Sequence, residues 1–471
     1  MNTAWTFDPA AGRWQSRTVD PALRGALEGA GLHGDTAVFP PLWDHHGHLL
    51  WLGSLLEQTD LRGSASALEA VERLASAAAE TAPGSWVRGF GWDQNLWGGE
   101  FPDRDLLDRR LPGVPVLANR VDGHAGWAST EALRRAGISE DVQDPQGGRF
   151  LRREGRLTGV LLDRAMEPVE EAARETGREV LERRFLSACS HLRSRGLCGA
   201  TDMGLEPEHA EILSRLDRAG RLPIAVVGYL WARDGRLPSV DLPPGKMFRL
   251  AGRKFFTDGA LGSRGAALFE DYSDAPGERG HLLWETGDLG EALRRTAADG
   301  MEAAVHAIGD RALDQVLAAA EAARMGPLLR VEHAQVAPAR SVQRMARLGL
   351  RASLQPCHRL SDADWAPARL GSRSDDAYGL ARFLRAGIPL HFGTDFPIEE
   401  PDPARTLLAA LTHREGEALT WSEALWACRP PEGLGGSGPL PAAALPTGAD
   451  PHDPSWLRGA RFAALARDAS P

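Results

Sequence analysis

The chain has 471 residues, 43% of them hydrophobic and 25% charged, with 54 basic against 64 acidic side chains and a formal net charge of −10. These are ordinary globular proportions, with chain enough for one large core or two to three domains. The acidic balance and scattered arginines argue against a phosphate-backbone partner, and no run of about 18 apolar residues exists to span a membrane.

The start, Met1-Asn-Thr-Ala-Trp-Thr-Phe-Asp, lacks the basic and apolar regions of a signal peptide. Cys189, Cys198, Cys357 and Cys428 have unrelated spacings that make neither a disulfide framework nor a CxxC metal site. Both features lead us to expect a cytoplasmic protein with reduced thiols.

Residues 1–43 form a short preamble, with strands expected at Ala4-Trp-Thr-Phe and Arg13-Trp-Gln-Ser. Residues 44–430 then alternate short apolar or β-branched runs with helical stretches such as Val180–Arg195, Leu289–Asp299 and Ala312–Arg324. The expected strands are Val38–Asp44, Gly199–Asp202, Ile224–Leu230, Arg253–Thr257, Ala303–Ala307, Leu329–His333, Arg351–Gln355 and Pro389–Thr394. Eight strands in this alternation favour an α/β fold closed into a (β/α)8 barrel, and no GxGxxG follows the first strand to support a dinucleotide-binding sheet. Two further strand-like runs, Trp86–Gly91 and Val114–Val121, place an insertion at about residues 80–180, after the first barrel strand. Residues 431–471 open Pro/Gly-rich and close on the apolar run Ala460–Ala466, a linker and a small terminal piece.

Metal-capable side chains recur at the C-terminal ends of the barrel strands. In Asp44-His-His-Gly-His48, residues two apart share a face, so His46 and His48 can present imidazoles to one point. His306, His333 and Asp395 end three later strands. Singly, each has an ordinary reading as a core or capping residue. A parallel barrel delivers all of them to one rim, where four histidines and an aspartate need partners that a divalent metal supplies. Only two basic residues are lysines, Lys246 and Lys254. Lys254 lies on a barrel strand between apolar neighbours, where a desolvated amine can lose its proton and take up carbon dioxide as a carbamate. A salt bridge to Asp258 is the plainer alternative, and Lys246 reads as a surface charge.

Several runs carry a family resemblance: Asp44-His-His-Gly-His, Trp86-Val-Arg-Gly-Phe-Gly-Trp-Asp-Gln-Asn-Leu-Trp97, Arg120-Val-Asp-Gly-His-Ala-Gly-Trp, Lys254-Phe-Phe-Thr-Asp-Gly-Ala-Leu-Gly-Ser-Arg, Val305-His-Ala-Ile-Gly-Asp-Arg-Ala, Val331-Glu-His-Ala-Gln, Leu354-Gln-Pro-Cys-His and Phe392-Gly-Thr-Asp-Phe-Pro. Across most of its length the chain resembles the amidohydrolase superfamily, specifically the branch of the N-substituted formamide deformylases. The resemblance implies a distorted (β/α)8 barrel with metal ligands His46, His48, carboxylated Lys254, His306, His333 and Asp395. It implies one or two divalent ions, with zinc expected, and places the insertion carrying Trp92 and His124 over the metal site. Relatives usually carry a β-sandwich built from both termini. The short preamble and the tail Pro446-Thr-Gly-Ala-Asp-Pro imply a trimmed one, and a homodimer contact through it stays open.

The expected function is hydrolysis of a C–N bond other than a peptide bond (amide, N-formyl or cyclic amide) in a small-molecule substrate. A metal-bound hydroxide would attack, with Asp395 as general acid/base. His124 is a candidate oxyanion donor or substrate ligand, and Trp92 and Trp97 are candidates for an apolar substrate wall. Asp202, Asp258 and Asp310 are candidates to orient histidines. His45 faces away by strand alternation and is given no role. The alternatives are a lactone or carbamoyl hydrolase on the same site, or a non-catalytic metal-binding scaffold.

Overall fold

The computed structural model describes residues 3–19, 21–174, 176–233, 235–434 and 440–465. Residues 435–439 of the expected linker and Ala466 lie outside them. The chain divides into two compact units, Met1–Leu52 with Phe185–Pro471, and Gly53–Arg184.

The larger unit holds an eight-stranded sheet: β1 (Leu42–Gly47), β2 (Leu197–Leu205), β3 (Ala225–Trp231), β4 (Phe248–Phe256), β5 (Glu302–Ala307), β6 (Leu329–His333), β7 (Arg351–Leu354) and β8 (Leu390–Phe392). Successive strands pair in parallel from β1 to β8. The ring closes just past β8, where Gly47 bridges Phe396, Asp395 N donates to His46 O at 2.7 Å and His48 N donates to Phe396 O at 2.9 Å. The result is a nearly closed, distorted (β/α)8 barrel.

The closure depends on close approach. A Cβ on Gly393 would stand 2.4 Å from the His46 nitrogen, so only glycine lets the two backbones meet. Buried Asp44 then clamps them, accepting from the Thr394 hydroxyl at 2.6 Å and from the Thr394 and His46 amides at 3.1 Å.

The sequence reading ran the first strand from Val38 to Asp44, whereas the structure breaks it. Pro40 and Pro41 cannot donate to a ladder, so Thr36–Val38 joins a different sheet and β1 begins after them. That second sheet has five strands from both ends of the chain, in the order Phe462–Leu465, Leu440–Ala444, Thr36–Val38, Thr3–Asp8, Arg13–Thr18. One face carries Ala4, Val38, Ala442 and Leu465 against Leu23 and Leu27 of the helix Pro21–Gly29. Phe7, Trp14, Phe39, Trp421, Trp456 and Phe462 form a second cluster, edge to face around Trp14 and tilted around Phe39.

The smaller unit, between β1 and β2 in sequence, is built on a six-stranded mixed sheet in the order Thr59–Asp60, Val87–Trp92, Val116–Arg120, Ala125–Ala128, Arg156–Asp163, Gly148–Arg153. It starts well before the expected residue 80 because the helix Ala67–Glu80 belongs to it. Ser66 caps that helix, and its apolar face, Ala70, Val71 and Leu74, packs on Val87 and Trp92. Among the described residues no helix is long and apolar enough to cross a membrane.

Trp92 and Trp97 were expected to wall a substrate pocket, and the structure gives them other surroundings. Trp92 is 0% exposed, its ring stacked on Trp97 at 5.8 Å and its indole N–H donating to Ala118 O. Trp97 is partly buried and donates to Ser64 O. Every face of Trp92 is spent on the core of its own unit, which leaves none for a ligand. Trp92→Ala should therefore cost about 3–5 kcal/mol of stability, as truncation of a buried aromatic does. A circular-dichroism melt checks this, and an unchanged melting temperature would remove Trp92 from the core.

Candidate metal centre

Three barrel strands, β1, β5 and β6, deliver four imidazoles to one end of the larger unit's core, and the turn after β8 adds a carboxylate. Ligand-capable atoms of His46, His333 and Asp395 all lie within 4.8 Å of one another, and all three residues are buried. His48 joins them, its Nε2 3.3 Å from Asp395 Oδ1, while His46 Nε2 is 3.4 Å from the same oxygen. The His306 and His333 rings are 4.6 Å apart and those of His333 and His46 4.8 Å. These five residues line a cavity of about 510 Å³. A larger cavity of about 1310 Å³, walled by Trp231, Arg233 and Trp284, shares Phe256 with it but holds none of the five.

Lys254 is 0% exposed, and its Nζ has no hydrogen-bond partner among the described residues, lying 4.9 Å from the Phe256 ring. Burial brings its pKa down to about 8, against the pull of Glu332 and Asp395. The plain alternative, a salt bridge to Asp258, is not formed. Asp258 accepts instead from the amides of Ala267, Ile308 and Gly309. It stands 3.2 Å from His306 Nε2, which also makes no hydrogen bond among the described residues. Two buried polar atoms, one amine and one imidazole nitrogen, thus lack the partners that burial demands. A cation and its oxygen ligands would satisfy both, so the donor set fits a divalent metal.

The backbone is strained at these positions. His333, Ala334 and Asp395 have φ of 70°, 40° and 58°, left-handed values that a non-glycine residue adopts at a cost of about 1–3 kcal/mol. At Asp395 the turn is held by its own amide bond to His46 O, and this aims the carboxylate at His46 and His48. Burial works to raise the Asp395 pKa, but His46 and His48 beside it hold the carboxyl well below the usual range. Burial brings His46 down to about 4, so its ring is neutral near pH 7.

Two orienting partners went unnoticed in the sequence. Glu332 Oε2 lies 2.6 Å from His46 Nδ1, and Gln355 Oε1 lies 2.8 Å from His333 Nδ1. Burial raises Glu332, yet Arg330 and His46 overcome that and hold it well below the ordinary carboxylate value. Of the three aspartates expected to orient histidines, Asp258 stands beside His306. Asp202 instead accepts from the Leu49 and Gly204 amides, fixing the turn after His48, and Asp310 accepts from Phe269 N. His45 bonds the Arg429 carbonyl through Nε2 and packs at a tilt against His391, ring centroids 4.6 Å apart. His124 belongs to the inserted unit, where its largely exposed ring meets Asp163 at 2.9 Å.

The cavity's apolar wall is made by side chains with no metal-binding signature: Trp51, Phe256, Leu261, Ile308, Trp365 and Ile398. Strand periodicity could not reveal them, because most lie on loops after the strands.

Residues 34–431 match the family model described as the amidohydrolase family. A putative amidohydrolase, YtcJ, of Bacillus subtilis is 32% identical over 395 residues, covering 80% of this chain and 73% of its own. The N-substituted formamide deformylase of Arthrobacter pascens is 27% identical over 452 residues, covering 86% and 81%. Among solved structures, an uncharacterized metal-dependent hydrolase from Pyrococcus furiosus has a TM-score of 0.70 at 29% identity, covering 90% of this chain and 91% of that one. By its barrel, its cluster of metal-capable side chains and these matches, the chain belongs to the amidohydrolase family.

Proposed function

We propose that this hydrolase cleaves a C–N bond of an amide, N-formyl or cyclic-amide type in a small-molecule substrate. The observation that carries the reading is the convergence of His46, His333 and Asp395 within 4.8 Å beside a cavity with apolar walls. The kinship with an N-substituted formamide deformylase supports the choice of bond.

In this reading His46, His48 and Asp395 would hold one divalent ion and His306 and His333 a second, with Lys254 as a carbamate adding oxygen ligands and zinc as the expected metal. When bound, such an ion supplies Lewis acidity, which acidifies water and polarises a carbonyl. The remaining work falls to the chain. An ionised Asp395 takes a proton from the attacking water at a carboxylate oxygen and returns it to the departing nitrogen. Trp51, Trp365 and Ile398 hold the substrate's apolar part at the cavity wall. Lys254 forms its carbamate when the neutral amine attacks carbon dioxide and releases a proton, a reaction closed to an always-protonated guanidinium.

Two outcomes follow. Purified chain should carry stoichiometric divalent metal by elemental analysis, and Asp395→Asn should lower kcat on responsive amides by about 10²–10⁴-fold with the fold retained. Metal-free wild-type chain that binds no added zinc, or turnover unaffected by the substitution, contradicts the reading. For Lys254, Lys254→Arg keeps the positive charge and should lose one metal equivalent. The wild-type peptide should show carbamate density or the added mass of carbon dioxide. Full metal occupancy in Lys254→Arg would leave the lysine a structural residue.

A further inference from the structure

We infer that Glu332, held by Arg330, is a positioning residue that decides which nitrogen of His46 is free to meet a cation. The inference rests on the metal-centre reading and adds to it a residue outside the ligand set.

Glu332 is 0% exposed. Its Oε1 accepts from Arg330 Nε at 2.5 Å, and its Oε2 accepts from Arg330 Nη2 at 3.2 Å and faces His46 Nδ1 at 2.6 Å. A guanidinium has no acceptor, and a carboxylate bound to it has no proton to give. The proton between Glu332 and His46 therefore belongs to Nδ1, which leaves Nε2 as the nitrogen that can meet a cation. Nε2 is the nitrogen 3.4 Å from Asp395 Oδ1. That nitrogen and the Asp395 carboxylate face the same point, together with His333, where one cation could meet all three. The other tautomer would set an Nδ1 lone pair against the Glu332 carboxylate at 2.6 Å, and its repulsion excludes that state.

Arg330 also fixes the backbone behind the ring. Its Nη2 donates to the His45 carbonyl at 2.6 Å and to the Ser353 hydroxyl at 3.2 Å, so one guanidinium ties β1, β6 and β7 together. The His45 carbonyl belongs to the peptide that leads into His46, so ring and main chain are held from the same strand, β6. At His333 the corresponding partner is the neutral amide of Gln355, whose two ends offer an acceptor or a donor. A glutamate allows no such choice, and the tautomer of His46 is the one that is enforced.

The test compares zinc dissociation constants, measured by competition with a chromophoric chelator, across three variants, with melting temperatures recorded alongside. Glu332→Gln cannot accept from both Arg330 and His46 as the carboxylate does, and should weaken zinc binding about 10–100-fold, the usual effect of losing a partner behind a metal-binding histidine. Glu332→Asp keeps the acceptor pair and should recover most of that loss. Glu140→Gln removes an ion pair to buried Arg104 in the inserted unit, and should lower the melting temperature with zinc affinity unchanged. Wild-type zinc affinity in Glu332→Gln, or equal loosening in Glu332→Gln and Glu140→Gln, overturns the positioning role while leaving the metal centre standing. Wild-type chain that binds no divalent metal overturns both.

Discussion

The closure of the barrel is the constraint on which the rest depends. The last strand must meet the first without a spare Cβ between them, and Gly393 against the His46 backbone provides that approach. The hydrogen bonds of the seam, Asp395 to His46 and His48 to Phe396, join the same residues that carry the ligand-capable side chains. Closing the ring and assembling half of the candidate site are one event, performed by segments about 350 positions apart, as the Asp44 and Thr394 contacts mark. A slip of one residue at the seam would turn His46 to the opposite face. The buried Asp44 carboxylate, fixed by three donors from both sides, resists that slip.

Behind the seam the barrel interior is polar, and its charges are arranged in contact. Arg330 and Glu332 pair on β6, and Tyr229 and Arg351 both donate to Glu302. Isolated, a buried charge such as Arg330 or Glu332 would cost several kcal/mol. As a connected set they have little freedom to rearrange, which suits a layer lying under groups that must keep a fixed separation. The left-handed φ at His333 and Asp395 fits the same picture, since strain at these turns persists only where surrounding bonds over-determine it.

Much of this was legible in the sequence, for a definable reason. Barrel strands are short apolar runs of regular period, and a parallel barrel sends all their C-terminal ends to one rim. His46, His48, His306, His333 and Asp395 could therefore be grouped without knowing any distance. Trp92 and Trp97 could not be placed, because an aromatic in an insertion reads alike whether it packs or faces a ligand, and here both rings are drawn into their own core. The unit's start was missed because the helix Ala67–Glu80 looks like any barrel helix until its packing partners are known. Glu332 and Gln355 were visible as letters beside the histidines. Their roles need the pairing of strands far apart in sequence, which periodicity does not carry.

The choice of lysine at position 254 is the most specific thing the composition says, and the structure sharpens it. With arginine at nearly every other basic position, an arginine here would be the compositional default. The site could not use one. A guanidinium stays charged and needs several acceptors, while Lys254 has none among the described residues, and Phe256 offers only a ring face. An amine in the same place can give up its proton, since burial has already moved its pKa close to neutrality. A buried cation without acceptors is costly, and an amine beside Glu332 and Asp395 can shed that charge where a guanidinium cannot. The position of Nζ, buried and without a partner among the described residues, is thus one that a lysine can occupy and an arginine cannot.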